Sequence, residues 1–150
     1  MASITSANAV LTLTIPGVYP TGIQIQQFAV DDAFVAEAID TAEIQVGVDG
    51  YSAAGLTPRE VPMSIFLLAS SPSVVVFDNW NGAEWTTGDK IAAYGVIIHP
   101  SVGKKYALNQ GFLHRWQPMA ETRRVLQRRE YRVTWTPNGL NSPAIQVAPA

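Results

Sequence analysis

Two histidines, His99 and His114, are the first residues to weigh for metal or proton chemistry. They fall on either side of a predicted hairpin and could face each other across its strands. No third ligand stands at a metal-binding spacing, and His99 abuts Pro100, so structural histidines are the better reading. The carboxylates Glu37, Asp40 and Glu43 could supply a pair for glycoside hydrolysis, but any acidic run offers as many. No serine stands in a G-x-S-x-G elbow, and Gly47-Val48-Asp49-Gly50 is a turn signature rather than a phosphate loop. The chain has no cysteine, which removes disulfides and thiolate metal sites. Trp80, Trp85, Trp116 and Trp135 could form a stacking platform for sugars or bases; packing in a core or interface is the favoured alternative. Arg123-Arg124 and Arg128-Arg129 have the composition of a nucleic-acid patch. A sequence pI near 5.6 and the interleaved Leu126, Tyr131 and Val133 favour ion pairing with an acidic protein surface instead. No constellation forms a catalytic, cofactor or metal site, and a non-enzymatic protein is expected.

The elements that carry these residues read as mostly strands. Asn8 to Ile15 alternates apolar and threonine positions, and Pro16-Gly17 ends the run. After a predicted turn at Pro20-Thr21-Gly22, Ile23 to Val30 alternates again with glutamines on its polar face. Phe34 to Ile39 leaves room for little more than one helical turn and is read as extended. Ala42 to Ser73 reads as strand, loop and strand: Glu43 to Val48 alternates, Asp49-Gly50 breaks the run, and Val61 to Ala69 resumes it. Ser71-Pro72 opens a predicted helix to about Trp80, stopped by Asn81-Gly82. Strands follow at Lys90 to Ile98, Tyr106 to Arg115 and Gln127 to Thr136, with Gly95 marking a bulge or close approach. The reading is one mainly β domain over residues 1–136. Residues 137–150 form a C-terminal extension or arm, frayed alone or ordered on a neighbour.

At 150 residues and 47% hydrophobic the chain suits a single core. Charged residues make up 15%, below the roughly 25% of an average globular chain, which fits a surface partly covered by other copies. The net charge of −2 hides an asymmetry. Residues 1–58 carry Asp31, Asp32, Glu37, Asp40, Glu43 and Asp49 with no lysine or arginine, whereas residues 104–132 hold most of the basic side chains. The halves either form ion pairs within one fold or supply head-to-tail complementarity between copies. The N-terminus lacks a signal-peptide pattern and no apolar run approaches the roughly 18 residues needed to cross a bilayer. A chain made and kept in a cytoplasm, without membrane insertion, is expected.

The order of these motifs carries a resemblance. Asp31-Asp32-Ala33-Phe34, then Ala42 to Gly50, Ser52-Ala53-Ala54-Gly55 and Ser71-Pro72-Ser73 are followed by Gly103 to Leu108 and Val125 to Trp135. Over most of residues 8–136 this resembles the tail tube proteins of contractile-tailed bacteriophages, with Trp80 to Asp89 and the C-terminal tail departing from the pattern. The resemblance implies an antiparallel β-sandwich or barrel flanked by one short helix. It implies six copies to a ring, and rings stacked head-to-tail inside a contractile sheath as a virion tail assembled in the host cytoplasm. The implied partners are further copies, the tail sheath protein, and baseplate and tail-terminator proteins, while DNA passes through the lumen without specific binding. In that frame Gln24, Gln26, Glu37, Glu43 and Gln45 line the lumen, a wall with no cationic site for a polyanion. Asp49, Gly50, Tyr51, Arg59, Arg123, Arg124, Arg128 and Arg129 make inter-subunit contacts. Two alternatives stand beside it: the tube of a phage-derived bacteriocin or type VI-like injection system, and a monomeric carbohydrate-binding β-sandwich that uses its tryptophans.

Overall fold

Strict alternation builds the first strand: in β1 (Val10–Ile15), Leu11, Leu13 and Ile15 are fully buried while the residues between them are half-exposed. The computed structural model describes residues 9–26, 34–100, 103–120, 122–139 and 142–149. Beyond β1 it contains β2 (Tyr19–Ile25), β3 (Phe34–Ala36), β4 (Ala42–Val46), β5 (Ser52–Leu56), β6 (Val61–Leu67), α1 (Val74–Thr87), β7 (Ala93–His99), β8 (Lys104–Arg115), β9 (Arg129–Trp135) and β10 (Ile145–Pro149). Eight strands form one antiparallel sheet in the order β2-β1-β7-β8-β9-β6-β3, with β10 added on β8. The sheet stays open rather than closing into a barrel. β4 and β5 form a separate two-stranded ladder.

The register puts one apolar face together. Leu11 stands opposite Ile97, Leu113 and Met63 both oppose Val133, Ile65 opposes Tyr131, and Val61 opposes Trp135. All of these are buried. α1 lays Val76, Phe77 and Trp80 onto that face, with the Phe77 ring stacked on Tyr131 at 4.3 Å between centroids. Trp80 Nε1 donates to the Ile91 carbonyl at 2.9 Å, which ties the helix to the start of β7. β8 serves two partners on one side, β10 along Lys104–Leu108 and β9 along Gly111–Arg115. The change falls at Gln110, whose φ of +24° marks a bulge and whose carbonyl accepts from both Thr136 N and Thr136 Oγ1.

Several expectations are corrected. The turn lies at Pro16–Val18, where Gly17 takes a φ of +87° and Val18 N donates to Ile15 O; Pro20-Thr21-Gly22 sits inside β2, an outer strand of the sheet where proline is tolerated. The helix runs past Asn81-Gly82 to Thr87 and ends on Gly88, whose φ is +74° and whose N–H donates to Glu84 O. An exposed helical glycine costs about 1 kcal/mol, less than the packing of Trp80, helped by the 2.8 Å ion pair of buried Glu84 with the exposed Lys90, secures. At the start of the helix, Ser71 and Ser73 bond the Gln26 backbone as well as each other, fastening α1 to the end of β2. The tail strand β10 pairs with β8 of its own chain rather than fraying. The part of the expected Ile23–Val30 strand beyond Gln26 lies outside the described residues.

Tyr131 carries a testable consequence. Its hydroxyl is buried with no hydrogen-bond partner among the described residues. Burial pushes its pKa up to about 12, an effect that the Arg129 guanidinium partly opposes. A raised folded pKa stabilises the fold fully below the unfolded value near 10 and loses that contribution as pH rises toward 12. Urea melts of the parent should therefore weaken over that window, and Tyr131→Phe should flatten the loss. Near neutral pH the variant should be as stable as the parent or slightly more, because it buries no unpaired hydroxyl.

Candidate assembly surface

The β4–β5 hairpin is the feature that a lone subunit has least reason to possess. Every residue of both strands is exposed. Its register places Ala42, Ile44 and Val46 opposite Leu56, Ala54 and Ser52, whereas Glu43 and Gln45 stand opposite Gly55 and Ala53. The hairpin thus has one apolar face and one polar or small-residue face. Ile44, Val46 and Leu56 are 68%, 69% and 76% exposed on the apolar face, a concentration of uncovered aliphatic surface that marks an interaction site. The tip is well formed: Gly47 N donates to Tyr51 O at 2.7 Å, Asp49 Oδ1 accepts from Tyr51 N, and Gly50 takes a φ of +86°. Thr57 N to Thr41 O closes its base.

The base opens on a groove of about 510 Å³ lined by the hairpin's own Leu56, by Ile39 and Pro58 beside it, and by Ile97, Tyr106 and Val147 of the sheet. Arg59 and His99 also line it. Leu56 therefore belongs to both the exposed face and the groove, and the two form one continuous apolar surface.

The sequence-derived contact residues divide. Asp49, Gly50 and Tyr51 form the hairpin tip and Arg59 sits at the groove. Arg123, Arg124 and Arg128 are exposed on the β8–β9 connection, with the Arg128 guanidinium 4.3 Å from the Phe66 ring centroid. Arg129 is the exception: it is buried, and its Nη2 donates to Gln117 O at 2.6 Å and Asp78 Oδ1 at 3.3 Å. Trp116 Nε1 donates to the same Asp78 oxygen. Arg129 anchors α1 and the β8–β9 connection to the sheet, so its guanidinium is engaged inside its own subunit. Arg129→Met should lower stability by about 1–3 kcal/mol in urea melts, the scale of a lost charged hydrogen-bond set, while Arg124→Met should lie within about 0.5 kcal/mol of the parent.

The expected lumen residues are not gathered by one subunit. Gln24 and Gln26 are exposed on and just past β2, one outer strand of the sheet. Glu37 follows β3 at the other and pairs with Arg132 at 2.8 Å. Glu43 and Gln45 share the polar face of the hairpin.

The other candidates lose their chemistry. His99 packs edge-on against Tyr106 and His114 bonds Thr134 Oγ1 at the far end of β8, so the histidines do not meet. Trp80 and Trp135 are fully buried and Trp116 is half-buried, which leaves only Trp85 widely exposed and no tryptophan platform. Sequence reading missed β5 and the groove. Ala53-Ala54-Gly55 has weak strand propensity, and the groove is made by residues distant in sequence.

The fold resembles a chain of the 6-fold symmetrised anti-feeding prophage baseplate at TM-score 0.55 and 12% identity, covering 99% of this chain and 97% of that one. It also resembles a chain of the anti-feeding prophage cap, the tube terminating cap, at TM-score 0.57 and 9% identity, covering 100% and 93%. At these identities the likeness concerns the fold. None of the curated proteins matches. The family model for tail fiber protein gp32 matches residues 2–138, and the chain belongs to that family. It is thus a phage-tail-related protein.

Proposed function

We propose that the chain is a structural subunit of the inner tube of a contractile phage tail, six copies to a ring and rings stacked into a conduit for DNA. The observation that carries this reading is the hairpin, with its wholly exposed apolar face running into an apolar groove. Such a surface is costly in a free monomer and is removed when copies pack together. The placement of Gln24 and Glu37 at opposite margins of the sheet supports the ring. Copies set margin to margin would bring β2 of one beside β3 of the next, join the polar positions into one wall, and cover outer strands that otherwise invite uncontrolled pairing. The likeness to a chain of a 6-fold assembly fits the same reading. In this reading sheath, baseplate and terminator proteins bind the outside and ends of the tube. The tube of a bacteriocin-like injection system is the nearest alternative, and gene neighbourhood separates the two.

Negative-stain microscopy of the purified chain tests the proposal. Rings or hollow tubes are the expected result. Uniform small particles that stay monomeric as concentration rises would overturn it.

A further inference from the structure

The hairpin and the β8–β9 connection lie at opposite poles of the subunit. The hairpin enters β6 at Val61, which pairs with Trp135 at the end of β9. The other connection leaves β8 at Arg115 and enters β9 at Arg129, which pairs with Leu67 at the far end of β6. The seven residues of β6 separate the two ends by roughly 20 Å at the rise of an extended strand. Each pole exposes apolar side chains. On the hairpin these are Ile44, Val46 and Leu56; on the connection Met119, Val125 and Leu126 are 72%, 70% and 55% exposed. Their charges oppose. Residues 40–60 hold Asp40, Glu43, Asp49 and Glu60 against Arg59, and residues 116–128 hold Arg123, Arg124 and Arg128 against Glu121.

The geometry points to a specific stacking contact: the β8–β9 connection of one copy seats on the apolar face and groove of the hairpin pole of the next. Val125 and Leu126 enter the groove beside Leu56, Pro58 and Tyr106, while Arg124 meets the acidic hairpin. This rests on the assembly reading above and adds which surfaces meet and along which direction. Because the two surfaces differ and face opposite ways, the contact is heterologous. One copy cannot satisfy it alone, and it leaves a free donor pole and a free acceptor pole at the ends of any stack. The groove suits a peptide segment better than a small polar ligand, since its lining is dominated by aliphatic and aromatic side chains with few polar groups to orient a guest.

The absence of cysteine gives a clean test. Ile44→Cys and Leu126→Cys variants of the full chain are mixed, checked for assembly by microscopy, and treated with a short bismaleimide. A cross-linked dimer containing one copy of each variant, together with a ladder of multimers from the double variant, is the expected result. Assemblies that form but give only like-with-like dimers, or none, overturn the stacking contact and leave the tube reading standing. Failure of the unsubstituted parent to assemble, with no cross-link in the mixture, overturns both. The pair Arg124→Glu and Glu43→Lys supplies a second reading: either change alone should weaken assembly about tenfold, and combining them should recover most of the loss. No recovery removes the electrostatic part of the contact.

Discussion

A subunit carrying both Ile44→Asp and Val46→Asp should fold normally and fail to assemble. Both side chains are more than two-thirds exposed in the lone chain, so the change should move folding stability by no more than about 0.5 kcal/mol per site. In an interface each would otherwise contribute roughly 1.5–3 kcal/mol of apolar burial. Removing both amounts to two to four decades in the association constant at about 1.4 kcal/mol per decade, before the cost of desolvating two new carboxylates. Because every copy in a stack repeats the contact, the loss is multiplied along the assembly. Sedimentation velocity should show monomers at concentrations where the parent forms larger species, with an unchanged thermal melt. Full-sized assemblies from the double variant would show that the apolar face of the hairpin is not an interface. Gln45→Ala, an uncharged position on the hairpin's other face, is the matched control and should change assembly far less.

What the sequence made legible is the periodicity of the sheet. Leu11-Leu13-Ile15, Val61-Met63-Ile65 and Tyr131-Val133-Trp135 each alternate with more exposed residues, and burial follows that alternation almost residue by residue. Where local preference and tertiary packing disagree, the reading failed. Gly82 argued for a helix stop, but Trp80 and Glu84 find partners that carry the helix another turn and a half. Ala53-Ala54-Gly55 argued for a loop, but pairing with β4 makes it a strand. Ile44 and Val46 alternate like core residues and are uncovered, because pattern reports a shared face and cannot report what packs on it. The arginine pairs look equivalent in sequence, yet register turns Arg129 inward to Asp78 and leaves Arg124 outside. The assembly surface was legible in part: the charge division between the halves is a sequence fact, while the groove and the opposition of the poles exist only once β6 sets them apart.

Gly111→Ala should be among the most damaging single-methyl additions in the chain. Gly111 lies on β8 opposite Trp135 and Ala93, all three buried. Its φ is not positive, so alanine meets no backbone penalty there; space is the obstacle. A Cβ at this position would run into Cε3 and Cζ3 of the Trp135 ring and lie 2.9 Å from Val133 Cγ1. The indole folds across the bare glycine, as aromatic residues do over strand glycines, and a fully buried ring at the centre of the sheet has little room to retreat. Overpacking of this kind costs about 1–3 kcal/mol and sometimes more, a large part of a stability of about 5–15 kcal/mol. The strain also reaches the proposed interface, because Trp135 pairs with Val61, the residue on which the hairpin connection enters the sheet. A double-mutant cycle isolates the cause: Trp135→Leu alone should cost about 3 kcal/mol or more by opening a cavity, but in the presence of Gly111→Ala the two losses should sum to clearly less than their separate values. Urea unfolding of the four proteins measures this, and strict additivity, or a Gly111→Ala variant as stable as the parent, would show that the ring does not depend on the missing side chain.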